Sequence, residues 1–146
     1  MNLFGVMDVS GSALQAERLR AEVVASNMAN AETTRTPEGG PYRRQQVVFQ
    51  SAASDQGTFA NHLLSESNGE IGGVQVAAVV SDNTPGLRRY DPQHPDAGKE
   101  GYVMYPDINP LTEMVDMMSA TRAYDLNSSA VQAAKGMIDA SLDILK

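Results

Sequence analysis

Apolar residues near the start of the chain recur with a helical period. Met7, Leu14, Ala21 and Met28 stand seven residues apart, the spacing that places side chains on one face of a helix or of a coiled-coil strand. The residues between them include most of the charged positions of this segment. The pattern predicts a first helix over residues 3–31.

The end of the chain carries a longer and stricter stripe with the same spacing: Met117, Tyr124, Val131, Ile138 and Leu145. Asn109 is suited to cap a helix, and Pro110 fits its first position. No further Pro or Gly occurs before Gly136. These features predict a helix from Pro110 to the end, about 54 Å long at ~1.5 Å per residue.

Residues 32–109 have a different character, since they hold six of the seven prolines. Two strands are predicted, one at 42–50 around the run Val47-Val48-Phe49 and one at 73–80, where apolar residues alternate. The polar segment 51–73 is interpreted as a mobile loop, and residues 90–102 as a turn-rich connection. The predicted fold is therefore mainly α, with long terminal helices (1–31 and 110–146) forming a coiled-coil-like core. Residues 32–109 form a β-containing, irregular outer insertion.

Composition suggests that this core is incomplete within one molecule. The chain has 146 residues, no Trp and only 5% aromatic residues, so large core side chains are scarce. Two long, thinly apolar helices bury little surface if they pair only with each other. We expect other copies or other subunits to cover the remaining faces.

Charge and residue content exclude several classes of protein. The net charge is −7 and the eleven Lys and Arg are scattered, which argues against a nucleic-acid surface. With no Cys, neither a disulfide nor a thiolate metal site can form. No apolar window approaches the roughly 18 residues of a membrane span, and the opening residues lack a signal-peptide pattern.

No catalytic, cofactor-binding or metal site is predicted. Of the two histidines, His94 lies near Asp91 and Asp96, but flanking prolines favour a rigid turn over a metal site. No phosphate-binding loop and no nucleophile elbow occurs. The sequence thus indicates that the chain is not an enzyme.

Two asparagines interrupt the first stripe near its end. Asn27 and Asn30 lie on one helical face beside Met28. A buried amide in an apolar seam fixes register and partner choice. The alternative is that both are exposed residues near a fraying helix end, and spacing alone favours neither.

Three stretches together resemble one family. They are "VASNMANAETT", "GGPYRRQQVVFQ" and "YDPQHPDAGKEGYVMYPDINPLTEMVDMMSATRAYDLN", and they are similar to the bacterial flagellar rod and axial proteins over nearly the whole chain. The 51–73 segment departs from the resemblance in its length.

This resemblance implies a structural subunit of the proximal rod of the flagellar basal body. Its terminal helices would pack into a helical shaft that transmits motor torque and encloses the export channel. It also implies export into the periplasmic space by the flagellar type III apparatus, without a cleaved signal peptide. Implied partners are other copies of the chain, the rod proteins FlgB, FlgF and FlgG, and the rod base protein FliE.

The family's motifs fall on particular residues here. The N-terminal motif covers Ala25, Ser26, Asn27, Ala29 and Asn30, and the C-terminal motif covers Glu113, Met114, Met117, Met118, Arg122, Ala123 and Tyr124. Arg122 is interpreted either as a tie between neighbouring helices or as a solvated residue. The predicted assembly interface is Met7, Leu14, Ala21, Asn27, Met28, Asn30, Met117, Met118, Arg122, Tyr124, Val131, Ile138 and Leu145.

One alternative class remains open, a soluble helical adaptor or export chaperone. The arms of such a protein would be stably helical on their own, at any concentration. The arms of a polymer subunit gain helix when the subunits assemble. Circular dichroism of the isolated chain distinguishes the two.

Overall fold

The computed structural model describes residues 3–52 and 72–144, which form two long helices and two small antiparallel sheets. The elements in chain order are α1 (Leu3–Ala29), β1 (Gln45–Ala52), β2 (Gly73–Ser81), β3 (Leu87–Tyr90), β4 (Tyr102–Tyr105) and α2 (Pro110–Ile144). The predicted fold class is confirmed. Leu145 and residues 53–71 of the predicted loop lie outside the described residues.

The two helices pack against each other along a seam of small side chains. Ala16, Val23 and Val24 of α1 are buried there, and so are Ala120 and Ala134 of α2. Contacts join Arg20 to Asp116 and Asn27 to Glu113. The helices are therefore antiparallel, because the α2 partner moves back along the chain as the α1 residue number rises.

The start of α2 has the predicted cap. The Asn109 Oδ1 accepts a hydrogen bond from the Leu111 backbone N–H at 3.0 Å, and Pro110 occupies the first helical position. The side chain thereby satisfies one of the backbone donors that a helix start leaves without a partner.

Replacing this cap gives a testable result. Asn109→Ala is expected to lower the free energy of unfolding by about 1 kcal/mol, because the Leu111 N–H loses its acceptor. Urea unfolding followed by circular dichroism measures the change. Asn109→Asp keeps an acceptor oxygen and should remain within a few tenths of a kcal/mol of the parent; an equal loss in both variants would contradict the capping role.

The first sheet lies along α1. Strands β1 and β2 pair from Gln45↔Ser81 to Ala52↔Gly73, with a bulge that leaves Ala77 without a partner on β1. The Ser12 Oγ on α1 accepts a hydrogen bond from the Val74 N–H at 3.0 Å. A side chain at Gly73 would collide with this hydroxyl, so glycine lets the strand approach the helix. Both predicted strands are confirmed within a few residues.

The second sheet was not expected from the sequence. The turn-rich connection predicted over 90–102 is confirmed for residues 91–101, while its end residues Tyr90 and Tyr102 are the last of β3 and the first of β4. The Tyr90 and Tyr102 rings meet edge to face at 5.3 Å, and the Arg88 guanidinium lies 4.7 Å from the Tyr102 ring centre. Cross-strand aromatic and cation–π contacts therefore stabilise strands of only four residues.

Candidate assembly surface

Asn27 lies at the centre of a buried hydrogen-bond network. Its side chain is 1% exposed. Its Nδ2 donates to the Gln45 carbonyl at 2.8 Å and to the Glu113 Oε2 at 3.0 Å. Its Oδ1 accepts from the Gln45 N–H at 2.9 Å and from the Tyr42 hydroxyl at 3.2 Å. One amide therefore holds the end of α1, the beginning of β1 and the first turn of α2.

Glu113 is the buried charged residue of this network. Its side chain is 1% exposed and accepts a hydrogen bond from the Arg44 Nε at 2.6 Å. The Arg44 Nη2 also contacts the Asp116 Oδ2 at 3.4 Å, and the Asp116 Oδ1 lies 3.6 Å from the Arg20 Nη2. Because a buried carboxylate needs both a counter-charge and hydrogen bonds, Arg44 and Asn27 together permit Glu113 to be buried as an ion.

We refer to the side chains of Asn27, Tyr42, Arg44, Glu113 and Asp116 as the polar junction. It connects three elements that are far apart in sequence. Asn27 and Glu113 are buried and the other three members are half-buried. Truncating a partner of Asn27 or Glu113 leaves a buried polar group unpaired, which costs more than the pair itself contributes. The junction is therefore a strong determinant of how the three elements sit together.

Asn30 makes different hydrogen bonds from Asn27. Its Nδ2 donates to the Ser26 carbonyl at 2.9 Å, and its Oδ1 accepts from the Thr33 hydroxyl at 3.1 Å. The Ser26 carbonyl also accepts the Asn30 backbone N–H at 3.1 Å, so the side chain adds a second hydrogen bond at the C-terminal end of α1. The two asparagines of the motif both act within one chain, and their predicted contacts with a neighbouring subunit stay a prediction.

The other predicted interface residues divide between two environments. Most are half-buried: Met7, Leu14, Ala21, Met28, Met117, Val131 and Ile138. Met118, Arg122 and Tyr124 are exposed. Leu145 lies outside the described residues. The fold thus covers the first group in part and leaves the second group open to solvent.

Six exposed apolar residues lie along one side of α2, away from its buried alanines. Their side chains are 52–86% exposed: Leu111, Val115, Met118, Leu126, Met137 and Ile144. They are separated by three, four, seven, eight or eleven residues, all near multiples of the helical repeat. We call this set the outward stripe. Arg122 falls on the same face, between Met118 and Leu126.

Sequence reasoning missed several members of these two groups. Tyr42 and Arg44 are two residues apart just before β1, and an extended backbone places such side chains on the same side. That spacing in "PYRRQ" was a usable signal. Leu111 and Leu126 lie outside the seven-residue repeat of Met117, Tyr124, Val131 and Ile138. Asp116 is a single charged residue that no spacing connects with Arg20 or Arg44.

We also examined the described residues for metal ligands and membrane-spanning helices, beginning with His94. The His94 Nδ1 accepts a hydrogen bond from the Asp96 N–H at 3.1 Å, and its ring contacts Tyr105. No group of three potential ligands converges on a metal position among residues 3–52 and 72–144. Neither described helix has the length and apolar character that crossing a membrane requires.

Comparisons with known proteins agree with these features. Residues 7–35 match the family described as "Flagella basal body rod protein", and residues 99–144 match "Flagellar basal body rod FlgEFG protein C-terminal". The first match contains Asn27 and Asn30, and the second contains Glu113 and the outward stripe.

Relatives named "Flagellar basal-body rod protein FlgC" extend the similarity along the whole chain. The Bacillus subtilis protein is 43% identical, covering 100% of both chains. The Borreliella burgdorferi protein is 42% identical over 100% of this chain and 99% of its own. The Salmonella typhimurium protein is 40% identical over 94% of each. The chain therefore belongs to the FlgC family of flagellar basal-body rod proteins.

Proposed function

We propose that this chain, as a structural subunit of the flagellar basal-body rod, polymerises through its two terminal helices. The product is the helical shaft that transmits motor torque and encloses the export channel. The outward stripe carries the proposal, because it is a long apolar surface that nothing in the described part of the chain covers. Contiguous exposed apolar surface of this kind typically marks a protein interface.

The energetics of the stripe favour assembly. Each of its six large side chains contributes roughly 1.5–3 kcal/mol when fully buried. Six together supply on the order of 10 kcal/mol, which is comparable with the loss of translational and rotational freedom on association. A single such contact is weak, but each subunit in a helical lattice makes several. The geometry therefore suits a polymer better than a stable dimer.

The subunit is also built to transmit load. Two long antiparallel helices share one seam, and the polar junction ties β1 to both of them. Torque applied to the outer segment is thus passed to both helices.

Partners and location follow from the same proposal. The chain contacts other copies of itself, the rod proteins FlgB, FlgF and FlgG, and the rod base protein FliE. It reaches the periplasmic space through the flagellar type III apparatus without a cleaved signal peptide. No chemical step is required of it, and its relatives are named as rod proteins.

Charge placed on the stripe tests the proposal. Met118→Glu combined with Leu126→Glu is expected to abolish rod assembly and swimming in a flagellated host that lacks its own copy. The subunit should still be produced and give the same circular dichroism as the unassembled parent, because both side chains face solvent. Electron microscopy of isolated basal bodies and a motility assay provide the readouts.

Leu87→Glu is the matched control, since Leu87 is equally exposed but lies on β3; it should leave assembly intact. Normal rods in the double variant would refute the proposal. A double variant that fails to polymerise but binds single rod subunits in fixed stoichiometry would instead favour the soluble adaptor.

A further inference from the structure

The seam between α1 and α2 does not by itself define how the helices align lengthwise. Three residues of α2 are buried: Glu113 of the polar junction and two alanines, Ala120 and Ala134, fourteen residues apart. The positions seven residues after each alanine, Asn127 and Ser141, carry short polar side chains. Sliding one helix by seven residues, about 10.5 Å, therefore replaces the alanines of the seam with short side chains. Such apolar packing tolerates several registers.

The polar junction does not tolerate this shift. A slide of about 10.5 Å carries the buried Glu113 carboxylate away from both Asn27 and Arg44. Arg44 cannot follow it, because Asn27 holds the neighbouring Gln45 by two hydrogen bonds of 2.8 and 2.9 Å. A slipped helix pair thus leaves a buried charge, an arginine and an amide with unmet partners, which is strongly unfavourable.

Further charged side chains of α1 and α2 also favour the observed register. Glu17 lies 3.7 Å from Arg20, Arg20 lies 3.6 Å from Asp116, and Arg44 lies 3.4 Å from Asp116. Together with Glu113, they form a row in which the sign of the charge alternates. The Glu17–Arg20 pair lies within α1, but the contacts of Asp116 with Arg20 and Arg44 join different elements and are lost when α2 slides.

We propose that the polar junction selects one helix register among those that the small-residue seam allows, and thereby fixes the outward stripe relative to β1. Asn27 is then a positioning residue, acting on the assembly surface through the alignment of α2. The consequence for assembly rests on the proposed function, whereas the register within one chain does not. The two can therefore be tested apart.

Cysteine trapping on the isolated full chain measures the register. The chain contains no native Cys, so every crosslink comes from introduced residues. Since Arg20 faces Asp116, moving four residues along each helix in opposite directions places Ala16 opposite Ala120. The pair Ala16→Cys/Ala120→Cys reports the native register. Val23→Cys/Ala120→Cys and Val9→Cys/Ala120→Cys report shifts of seven residues in the two directions.

In the parent background, mild oxidation should close the native pair and leave the two shifted pairs largely open. Adding Asn27→Leu, which keeps the side-chain size and removes the network, is expected to raise the yield of a shifted pair about tenfold. Glu113→Gln should give a smaller rise of the same kind. The matched control is Glu22→Gln, which alters an exposed ion pair with Arg18 and should leave all yields unchanged.

Three outcomes would overturn the inference. The first is an unchanged crosslink pattern in Asn27→Leu and Glu113→Gln while helicity is retained. The second is that both variants lose their helicity, because the junction would then be required for folding and would not choose between registers. The third is efficient closure of a shifted pair in the parent. None of these depends on polymerisation, so the stripe variants still test the proposed function separately.

Discussion

Arg44→Ala is expected to lower the free energy of unfolding by about 3–5 kcal/mol, the cost of leaving a buried charge without its partner. The substitution removes the guanidinium that lies 2.6 Å from the buried Glu113 carboxylate. It also removes a partner of Asp116. Urea unfolding of the isolated chain, followed at the helical circular dichroism band, measures the change.

Two further variants separate this effect from a general loss of charge. Arg43→Ala removes the neighbouring arginine, whose contact with Asn83 is exposed, and should change stability by less than about 0.5 kcal/mol. Arg44→Met combined with Glu113→Leu replaces the pair with apolar groups and should recover much of the loss. If Arg44→Ala and Arg43→Ala behave alike, Glu113 is not held as a buried ion.

Larger side chains in the seam are expected to cause the second largest loss of stability. Ala120 and Ala134 are 1% and 0% exposed, so a larger side chain forces the helices apart. Ala120→Leu with Ala134→Leu should cost about 2–6 kcal/mol, since overpacking costs roughly 1–3 kcal/mol at each site and the sites are distant. The thermal midpoint should fall by about 2–4 °C for each kcal/mol.

The neighbouring Ala133 provides the control for this experiment. It is exposed on α2, so Ala133→Leu adds the same volume without entering the seam. Its thermal midpoint should stay within about 2 °C of the parent. A double seam variant that melts with the parent would show that the helices are not closely packed at these alanines.

The helices were predicted well because the signals that mark a helix depend only on residues close together in the sequence. Asn109 and Pro110 mark the start of α2 through backbone chemistry that involves only the next two residues. A seven-residue repeat is likewise a property of one segment. Strand β2 follows the two-residue period of a sheet through Val74, Val76 and Val80, and β1 is marked by the β-formers Val47, Val48 and Phe49.

The packed faces were harder to predict than the elements. The repeats were traced through large side chains such as Met7 and Leu14, but the centre of the seam on α1 consists of Ala16, Val23 and Val24. Helices that approach closely need small residues at their contact, and the larger ones move to its edges. A hydrophobicity pattern therefore finds the helix and misjudges which of its faces is buried.

The polar junction could not be assembled from sequence at all. Asn27 and Glu113 are 86 residues apart, and Arg44 and Glu113 are 69 apart. No spacing rule links side chains that meet only after three elements have packed. The strands β3 and β4 could not be predicted for a related reason. Each has only four residues, too few to show an alternating pattern, and ring contacts between the strands stabilise them.

The paired hydrogen bonds between Asn27 and Gln45 have a mechanical consequence. The amide presents one donor to the carbonyl and one acceptor to the N–H of the same residue, Gln45, as an adjacent strand would. A force that pulls the hairpin off the helix loads both bonds together, so they must break in a single step. The first residue of β1 should consequently resist peeling, and its amide should exchange with deuterium far more slowly than the free end of a two-stranded ribbon usually does.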